Sequence, residues 1–225
     1  MLPSVLVLIA ALDEEAGIGL TIGQLRAHLD CSRFLVVDGN SRDRTVQIAK
    51  RLGADVVYQS GVGKGDALAE GLGYIGDDVD YVVLTDADYT YPAYFVPQMI
   101  EFLERNPKVG MVCGNRFNSH FHLRAMSDRF YFGNRIIAFA HNVLNGCELR
   151  DPLTGLRVIR RGILTNWKPK STGFDIEVEL NHYVEKQGYT IFEIPIDYRS
   201  RLGKKKLKLK HGVTILKRIL TENVY

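Results

Sequence analysis

The chain has 225 residues, of which 46% are hydrophobic and 24% are charged, as is usual for a soluble globular protein. No apolar run reaches the roughly 18 residues of a membrane-spanning helix, and the apolar N-terminus lacks the charged leader of a signal peptide. Three cysteines that are far apart disfavour a disulfide framework and favour a reducing compartment.

The net charge of +3 is unevenly distributed along the chain. Nine Lys or Arg and no Asp or Glu lie between Arg199 and Arg218, so removing these nine charges leaves −6 for the remainder. A mildly acidic body with a strongly basic C-terminal segment indicates a polyanionic partner, either nucleic acid or an anionic membrane surface.

Strands and helices alternate over the first half of the chain. Short apolar runs predict strands at Val5–Ala10, Phe34–Val37, Asp55–Tyr58, Tyr81–Thr85 and Val109–Cys113. Helical spacing of apolar residues follows the first four strands, over Ile18–Leu29, Ile48–Leu52, Ala67–Tyr74 and Ala93–Arg105. This alternation with short loops is typical of a wound, mostly parallel sheet, so the predicted fold class is α/β.

After Gly114 the pattern changes. A polar stretch contains His120 and His122, which lack a third metal ligand at suitable spacing and indicate a polar loop. The remaining predicted elements are helices over Phe130–Leu144 and Phe174–Lys186 and strands over Leu156–Arg160 and Ile191–Ile196. Pro195 indicates that the last strand lies at a sheet edge or that the proline lies near the strand's end. Because no repeat or low-complexity linker interrupts the chain, we predict a single domain over 1–225.

The fourth predicted strand ends in Asp86-Ala87-Asp88, two carboxylates separated by one small residue. In open α/β sheets ligands gather at the carboxyl ends of the strands. Two acids there can hold a hard divalent cation, which prefers oxygen ligands and usually binds phosphates as well. The alternative interpretation is a solvated acidic turn.

Other charged residues follow the neighbouring strands. Asp13 and Glu14 follow the first strand, Asp38 follows the second, and Lys64 lies in a glycine-rich loop after the third. That loop matches neither a dinucleotide-binding motif nor a P-loop. Since the strand ends share one edge of the sheet, these groups are expected to converge around a nucleotide diphosphate held through a cation.

The ordered motifs resemble glycosyltransferase family 2 with the GT-A fold, and more narrowly its dolichyl-phosphate hexose synthase branch. The matching segments are Ala10–Glu15, Val36–Thr45, Gly63–Ala67, Asp86–Pro92, Gly114–Phe117, Gly133–Arg135, Asp151–Arg157, Gly173–Glu177 and Glu193–Gly203. The resemblance implies a Rossmann-like wound sheet with helices on both faces and a C-terminal acceptor-side subregion. It divides the domain into a nucleotide-sugar-binding half (1–115), an acceptor-side half (116–198) and a basic amphipathic segment (199–225).

The resemblance also implies an activity. A hexose would pass from UDP-glucose, UDP-N-acetylglucosamine or GDP-mannose to dolichyl or another polyprenyl phosphate at the cytoplasmic membrane face. The enzyme would use Mg²⁺ or Mn²⁺ and associate peripherally with the anionic membrane surface, with no nucleic-acid partner. We expect in-line displacement at the anomeric carbon, with inversion.

Site residues are carried over from the matching motifs. The nucleotide sugar would be bound by Ala10, Leu12, Glu14, Asp38, Lys64, Asp86, Ala87 and Asp88. The metal would be held by Asp86 and Asp88, and the catalytic set would be these two acids with Arg116. Less specifically, the acceptor or its phosphate would meet Arg116, Arg129, Asp175, Arg201 and Lys206.

Two departures from the family pattern leave the donor open. Gly39 replaces the second acid of the usual Asp-Asp-Gly motif, and Thr90 stands where mannose-transferring relatives tend to have Gln. The Thr-Tyr-Pro version looks more like synthases that use UDP-glucose or UDP-N-acetylglucosamine. The oligomeric state also stays open.

Two alternative functions remain. A family 2 enzyme acting on a glycan, a protein or a soluble hydroxyl acceptor would need a general base, for which Asp175 is the candidate. A nucleic-acid-binding module would use the basic tail, although its basic residues are not interleaved with aromatics. If the tail is helical, apolar residues are expected to insert shallowly into the membrane: Leu207, Leu209, Val213, Ile215, Leu216 and Ile219.

Overall fold

A computed structural model of the chain describes residues 3–29, 32–118, 128–145, 148–208 and 210–222. In this part of the chain seven strands form one sheet. They are Val5–Ala11 (β1), Arg33–Asp38 (β2), Asp55–Tyr58 (β3), Tyr81–Asp86 (β4), Val109–Asn115 (β5), Arg157–Arg160 (β6) and Thr190–Pro195 (β7). The predicted His120 and His122 loop lies outside the described residues.

The α-helices of the described residues are Ile18–His28 (α1), Thr45–Arg51 (α2), Lys64–Leu72 (α3), Val96–Arg105 (α4), Asp128–Asn145 (α5), Arg161–Leu164 (α6), Ile176–Lys186 (α7) and Lys210–Glu222 (α8). Six of them overlap predicted helices, whereas α6 was not predicted and α8 was expected only as one possibility for the tail. Helix α3 ends two residues before Tyr74, which had been predicted inside it. None of the helices in the described ranges has the length and hydropathy that crossing a bilayer requires.

The strand order is β3-β2-β1-β4-β6-β5-β7. Strands β3, β2, β1 and β4 are parallel, β6 runs antiparallel between β4 and β5, and β7 pairs in parallel with β5. The predicted wound, mostly parallel sheet is therefore confirmed, and Pro195 ends an edge strand as expected. The register sets Ala10 opposite both Val37 and Asp86, so the carboxyl ends of β1, β2 and β4 are level.

The sheet is buried on both faces, which explains why its central strands read as continuous apolar runs. In β1, Val5, Val7 and Ile9 point to the face covered by α1 and α4, while Leu6 and Leu8 point to the face covered by α3, α6 and α7. Each such side chain stabilises the fold by roughly 1.5–3 kcal/mol relative to exposure. Packing on both faces holds the strand ends in place, so the charged residues that follow them are also held in fixed positions.

A third, smaller cluster joins α5, α7 and α8 through Ile137, Val178, Ile215 and Ile219. The basic C-terminal segment is thus helical over Lys210–Glu222, and Ile215 and Ile219 of this helix are turned toward the protein. This corrects the expectation that Ile215 and Ile219 are available for membrane insertion, since both are buried. On α8, Val213 stays exposed. Leu209 lies outside the described residues.

Candidate active site

The Asp-x-Asp motif lies where β4 ends. Asp86 is the last residue of the strand, and the backbone turns at Tyr89, which adopts a positive φ of 65°. The backbone N–H and the hydroxyl of Thr90 donate to Asp88 Oδ1 over 3.1 and 2.6 Å. A Cβ on Gly17 would lie 2.6 Å from the Ala87 carbonyl oxygen, so glycine there lets α1 approach the motif. These contacts fix the Asp88 carboxylate, which is buried.

Two cavities meet at this motif. Both are lined by Lys64, Asp86, Asp88, Phe174 and Arg201. The first cavity, of about 160 Å³, lies over the ends of β1 and β2, and its further lining includes Ala10, Leu12, Glu14, Gly39, Gln59, Ala87 and Lys206. The second cavity, of about 170 Å³, faces α5 and α7, and its further lining is Tyr91, Arg116, Asn134, Leu153, Glu177, Tyr198, Lys205 and Leu207.

Lys64 joins the metal-site candidate to α7. Its Nζ lies 2.6 Å from both Asp86 Oδ1 and Glu177 Oε1. Burial opposes the charge, but the two carboxylates outweigh it and raise the pKa of Lys64 well above its usual value. Burial would likewise raise the pKa of Asp86, yet Lys64 lowers it below the usual value. Lys64 and Asp86 are therefore both ionised at neutral pH.

A strap of residues 199–208 lies across the first cavity. Arg201 donates from Nη1 to Asp88 Oδ2 over 2.9 Å and also pairs with Glu14. Lys206 Nζ lies 2.6 Å from Glu14 Oε1. The strap is held by its backbone too, because Leu202 N–H donates to the Asp88 carbonyl oxygen over 3.1 Å.

The acids under the strap are held in an environment that disfavours their charge. Burial raises the pKa of Glu14, although Lys206 and Arg201 act in the opposite direction. Burial also raises the pKa of Asp88, and the neighbouring charge of Asp86 raises it further. Because the carboxylates of Asp86 and Asp88 repel each other, a cation placed between them would be stabilised.

Arg116 in the second cavity is paired with a buried acid. Its Nε and Nη2 donate to the two oxygens of Asp151 over 2.6 and 2.8 Å, in the bidentate geometry that guanidinium groups favour. The guanidinium carbon also lies 5.2 Å from the centre of the Tyr198 ring. Burial would lower the pKa of Arg116, but Asp151 raises it well above its usual value.

The loop from Asp151 to Gly155, for which the sequence suggested no individual roles, packs against Asp86. Gly155 N–H donates to the Tyr91 hydroxyl over 2.7 Å. A Cβ at this position would lie 2.5 Å from Asp86 Oδ2, so only glycine leaves room for the carboxylate. From below, the fully buried Arg157 donates to the carbonyl oxygens of Thr154 and Pro152 over 2.9 and 2.8 Å. The loop therefore orients Arg116 and bounds Asp86.

Most of the predicted site residues come together. Those that line the first cavity are Ala10, Leu12, Glu14, Lys64, Asp86, Ala87, Asp88, Arg201 and Lys206. Arg116 lines the second cavity. Arg129 is the second residue of α5, and its side chain lies outside the described part of the structure.

Two predicted site residues line neither cavity. Asp38 is fully buried, and its carboxylate accepts from the backbone N–H and the hydroxyl of Ser41 over 2.8 and 2.6 Å. It shapes the turn that carries Gly39, rather than facing the cavity itself. Asp175 is buried and accepts from Arg218 Nε over 3.1 Å, so it ties α7 to α8.

Glu177 and Lys205 are the charged residues of the second cavity that the sequence did not single out. Glu177 belongs to one of the motifs, but its acidic neighbours Asp175 and Glu179 look equivalent in the sequence. Glu179 accepts from the backbone N–H groups of Lys170 and Ser171 and supports a loop instead. Only helix phase and packing distinguish these three acids.

The donor set at the strand ends fits Mg²⁺ or Mn²⁺. No group of three or more His, Cys, Asp or Glu suited to a metal occurs within the described ranges. Such a cage is not needed, because Mg²⁺ usually takes one or two protein carboxylates together with substrate phosphates and waters. Asp86 and Asp88 supply two such carboxylates at the wall between the cavities.

Comparison with known proteins identifies the family of the chain. Residues 6–167 match the family described as glycosyl transferase family 2. A dolichyl-phosphate hexose transferase of Haloferax volcanii is 31% identical over 203 residues, which cover 89% of this chain and 85% of that protein. Glycosyltransferase AglJ of the same organism is 35% identical over 172 residues, which cover 76% of this chain. The matched part is only 55% of AglJ, so the chain spans about half of that relative.

Among solved structures, glucosyl-3-phosphoglycerate synthase from Mycobacterium tuberculosis in complex with UDP superimposes with a TM-score of 0.78 at 23% identity. The match covers 99% of this chain and 80% of the synthase. The same synthase in complex with Mn²⁺, UDP-glucose and phosphoglyceric acid gives a TM-score of 0.77. At this identity the likeness shows the fold alone, and it confirms the predicted GT-A class.

Proposed function

This chain belongs to glycosyl transferase family 2, and on that premise we propose that it transfers a hexose from a nucleotide diphosphate sugar to dolichyl or another polyprenyl phosphate. The observation that carries the proposal is the meeting of two cavities at Asp86 and Asp88. One cavity combines small apolar residues, acids and the strap, and suits a nucleotide. The other contains Arg116 and Lys205 and suits an anionic acceptor.

The donor occupies the first cavity in this proposal. The base and ribose lie over Ala10, Leu12 and Gly39, and the diphosphate lies toward Asp86 and Asp88. Lys64, Arg201 and Lys206 surround that end of the cavity with positive charge. UDP-glucose is the first donor to test, since the structurally similar mycobacterial synthase binds it. UDP-N-acetylglucosamine and GDP-mannose are the other candidates.

Asp86 and Asp88 would hold Mg²⁺ or Mn²⁺, whose positive charge stabilises the diphosphate as it departs. The protein's own cations act at the same place. Lys64 and Arg201 line both cavities, so their charges face the bond between the sugar and the diphosphate. Lys64 pairs with Asp86 and Glu177, and Arg201 pairs with Asp88 and Glu14. In this proposal, donor binding moves Arg201 from Asp88 to a phosphate oxygen.

The acceptor occupies the second cavity. A lipid phosphate is already anionic at neutral pH, so its oxygen attacks without a strong general base. A new bond forms between that oxygen and the anomeric carbon, the bond to the diphosphate breaks, and its electron pair leaves with the nucleotide. Because donor and acceptor approach from the two sides of the Asp-x-Asp wall, we expect inversion at the anomeric carbon.

Transfer to a hydroxyl group is the rival reaction. It needs a base, and Asp175, the candidate from the sequence, is tied to Arg218 and lines neither cavity. Glu177 does line the second cavity, and its Oε2 is buried without a hydrogen-bond partner among the described residues. Its other oxygen is occupied by Lys64. The hydroxyl reaction therefore depends on Glu177 rather than on Asp175.

An acceptor carried by a lipid places the enzyme at a membrane. We propose peripheral association with the cytoplasmic face, where nucleotide sugars are available. A nucleic-acid role for the basic tail has less support, because two of its cations, Arg201 and Lys206, pair with acids of the first cavity. Lys206 and Arg201 both contact Glu14.

The deciding experiment is an acceptor assay with radiolabelled UDP-glucose, UDP-N-acetylglucosamine and GDP-mannose. Each donor is incubated with Mg²⁺ or Mn²⁺ and either a polyprenyl phosphate or a panel of free sugars and alcohols. We expect label in the lipid phosphate with one of the donors. Label only in hydroxyl acceptors, with loss of transfer in Glu177→Gln, would establish the rival reaction instead.

A further inference from the structure

The outer face of α5 is apolar. Phe132, Ile136, Phe139 and Val143 are 68%, 46%, 72% and 64% exposed. Their spacing of four, three and four residues puts all four side chains on one stripe of the helix. No acidic residue lies among these four, and the exposed Arg135 borders the stripe with a positive charge.

The opposite face of α5 is the one that packs on the protein. Asn134, Ile137, Ala138 and His141 are buried there. A helix on the surface of a soluble protein normally has one apolar face and one polar face, whereas α5 is apolar on its solvent side as well. Exposed apolar side chains elsewhere, such as Leu20 and Val62, occur singly and need no explanation. A continuous stripe of two phenyl rings and two branched side chains does need a partner.

We propose that the outer face of α5, defined by Phe132, Ile136, Phe139 and Val143, inserts into an anionic lipid leaflet. Helix α8 packs beside α5 through Ile215 and Ile219. Residues 210–218 of α8 belong to the segment 199–218, which has nine Lys or Arg and no acid. The two neighbouring helices thus combine the apolar and basic elements that interfacial binding requires.

This division of roles follows from which side chains are buried. Two apolar residues of α8 that would otherwise insert, Ile215 and Ile219, are packed on the protein, whereas Val213 and Leu220 are exposed. Lys204, Lys208 and Lys217 remain exposed. The basic segment therefore supplies attraction to the lipid headgroups, and α5 supplies the groups that enter the leaflet.

Charge also argues against a second copy of the chain as the occupant. A symmetric pair that buries the α5 stripe would bring the basic segments of both chains toward the same contact, since α8 lies next to α5. Like charges would then repel across it. An anionic leaflet, by contrast, attracts the basic segment.

Docking through α5 orients the proposed acceptor site. Asn134, two residues after Phe132, lines the second cavity from the inner face of the same helix. Leu153 and Leu207 add apolar surface to that cavity. Binding of a lipid acceptor to this apolar surface rests on the proposed function, but docking of α5 on a leaflet does not. The two ideas can therefore fail separately.

The test is flotation of the full chain with vesicles, which needs no enzymatic activity. Wild type, the double variant Phe132→Ser/Phe139→Ser and the control Leu20→Ser are compared on phosphatidylcholine with phosphatidylglycerol and on phosphatidylcholine alone. Leu20 is an exposed apolar residue of α1, 51% exposed, remote from the stripe in sequence. We expect wild type and control to float with the anionic vesicles at low salt, and the double variant to lose about tenfold or more in partitioning.

Several results would overturn the proposal. They are equal flotation of wild type and double variant, no flotation of wild type at low salt, or equal binding to both vesicle types. A fall in the sedimentation-derived mass of the double variant, with vesicle binding unchanged, would assign the stripe to a second copy. If the double variant fails to fold by circular dichroism, Phe139→Ser alone decides by the same criteria. Transfer to a water-soluble short-chain polyprenyl phosphate should persist in these variants, and its absence from wild type would refute the proposed function without touching the docking proposal.

Discussion

The two cavities that meet at Asp86 and Asp88 are assembled in different ways. The first is built largely on the level ends of β1, β2 and β4, so its residues follow one another from strand to strand. The second draws Arg116, Asn134, Glu177 and Lys205 from segments that are far apart in the chain. A parallel sheet thus supplies a rigid floor for one ligand, while packing between helices and loops supplies the other site.

The cavities differ in electrostatics as well. In the first, Glu14 and Asp88 are matched by cations from the strap, which bridge almost the full length of the chain. In the second, Arg116 already has Asp151 as its partner, and the pKa of Lys205 is lowered by burial and then by the charges of Arg201 and Arg116. The first cavity is a balanced network that a ligand must rearrange. The lining of the second has four cations, Lys64, Arg116, Arg201 and Lys205, against three carboxylates.

The largest expected effect breaks the scaffold of the second cavity. Asp151→Asn leaves the Arg116 guanidinium buried without a counter-charge, which should lower the free energy of unfolding by about 3–5 kcal/mol. Denaturant titration measures this change. The half-buried Asp197, which accepts from the exposed Tyr94, provides the control Asp197→Asn, expected to change stability by less than about 1 kcal/mol. Equal effects of both substitutions would show that the Arg116 pair does not hold the site together.

The shared wall between the cavities should be essential for turnover. Asp88→Asn keeps the shape of the side chain but removes the charge that faces Arg201, and we expect kcat/KM to fall by roughly 10²–10³-fold. Asp77→Asn, at an exposed acid that pairs with Arg161, is the matched control. Near-normal transfer by Asp88→Asn would mean that the reaction does not take place where the cavities meet.

Acid should loosen the second cavity through His141, which lies on the inner face of α5. Burial lowers the pKa of His141 to about 4, so the folded protein keeps it neutral while the unfolded chain binds a proton at higher pH. Stability linked to this group is therefore complete above the usual pKa of histidine and is lost as the pH falls toward 4. Protonation of His141 is expected to lower the free energy of unfolding by on the order of 3 kcal/mol in all.

Unfolding free energies of wild type and His141→Asn, measured at neutral pH and near pH 4, check this linkage. The wild type should lose more stability on acidification than the variant does. Parallel acid profiles for the two proteins would contradict the assignment.

The smallest effects separate the two cavities at adjacent residues of the strap. Lys206 lines the first cavity and Lys205 the second. Loss of one charge-assisted hydrogen bond costs about 1.5–3 kcal/mol, or roughly tenfold or more in affinity. Lys206→Gln should therefore raise KM for the donor, and Lys205→Gln should raise KM for the lipid phosphate.

Lys204→Gln, at an exposed neighbour that lines neither cavity, is the control and should leave both KM values near those of wild type. Initial rates over a grid of donor and acceptor concentrations separate the two constants. If both lysine variants change the same KM, the strap does not divide its side chains between the cavities.

The residues of the first cavity were predictable because local signals locate them. A short apolar strand, a turn and an acid or lysine recur four times, and the parallel sheet brings those ends to one edge. Asp38 obeys the same local pattern and yet turns inward to Ser41. A strand end specifies where a residue lies, but the turn that follows decides where its side chain points.

The amino-acid sequence by itself determined the wound sheet, the order of its elements and the convergence of Glu14, Lys64, Asp86 and Asp88, because strand period and turn chemistry are local properties. Only the tertiary structure decided that Glu177 rather than Asp175 faces the second cavity and that Lys205 and Lys206 face different ones. It also decided that α8 turns Ile215 inward while α5 leaves Phe139 outside. These choices depend on helix phase and on contacts between segments far apart in the chain, which packing of the whole molecule selects and no local pattern encodes.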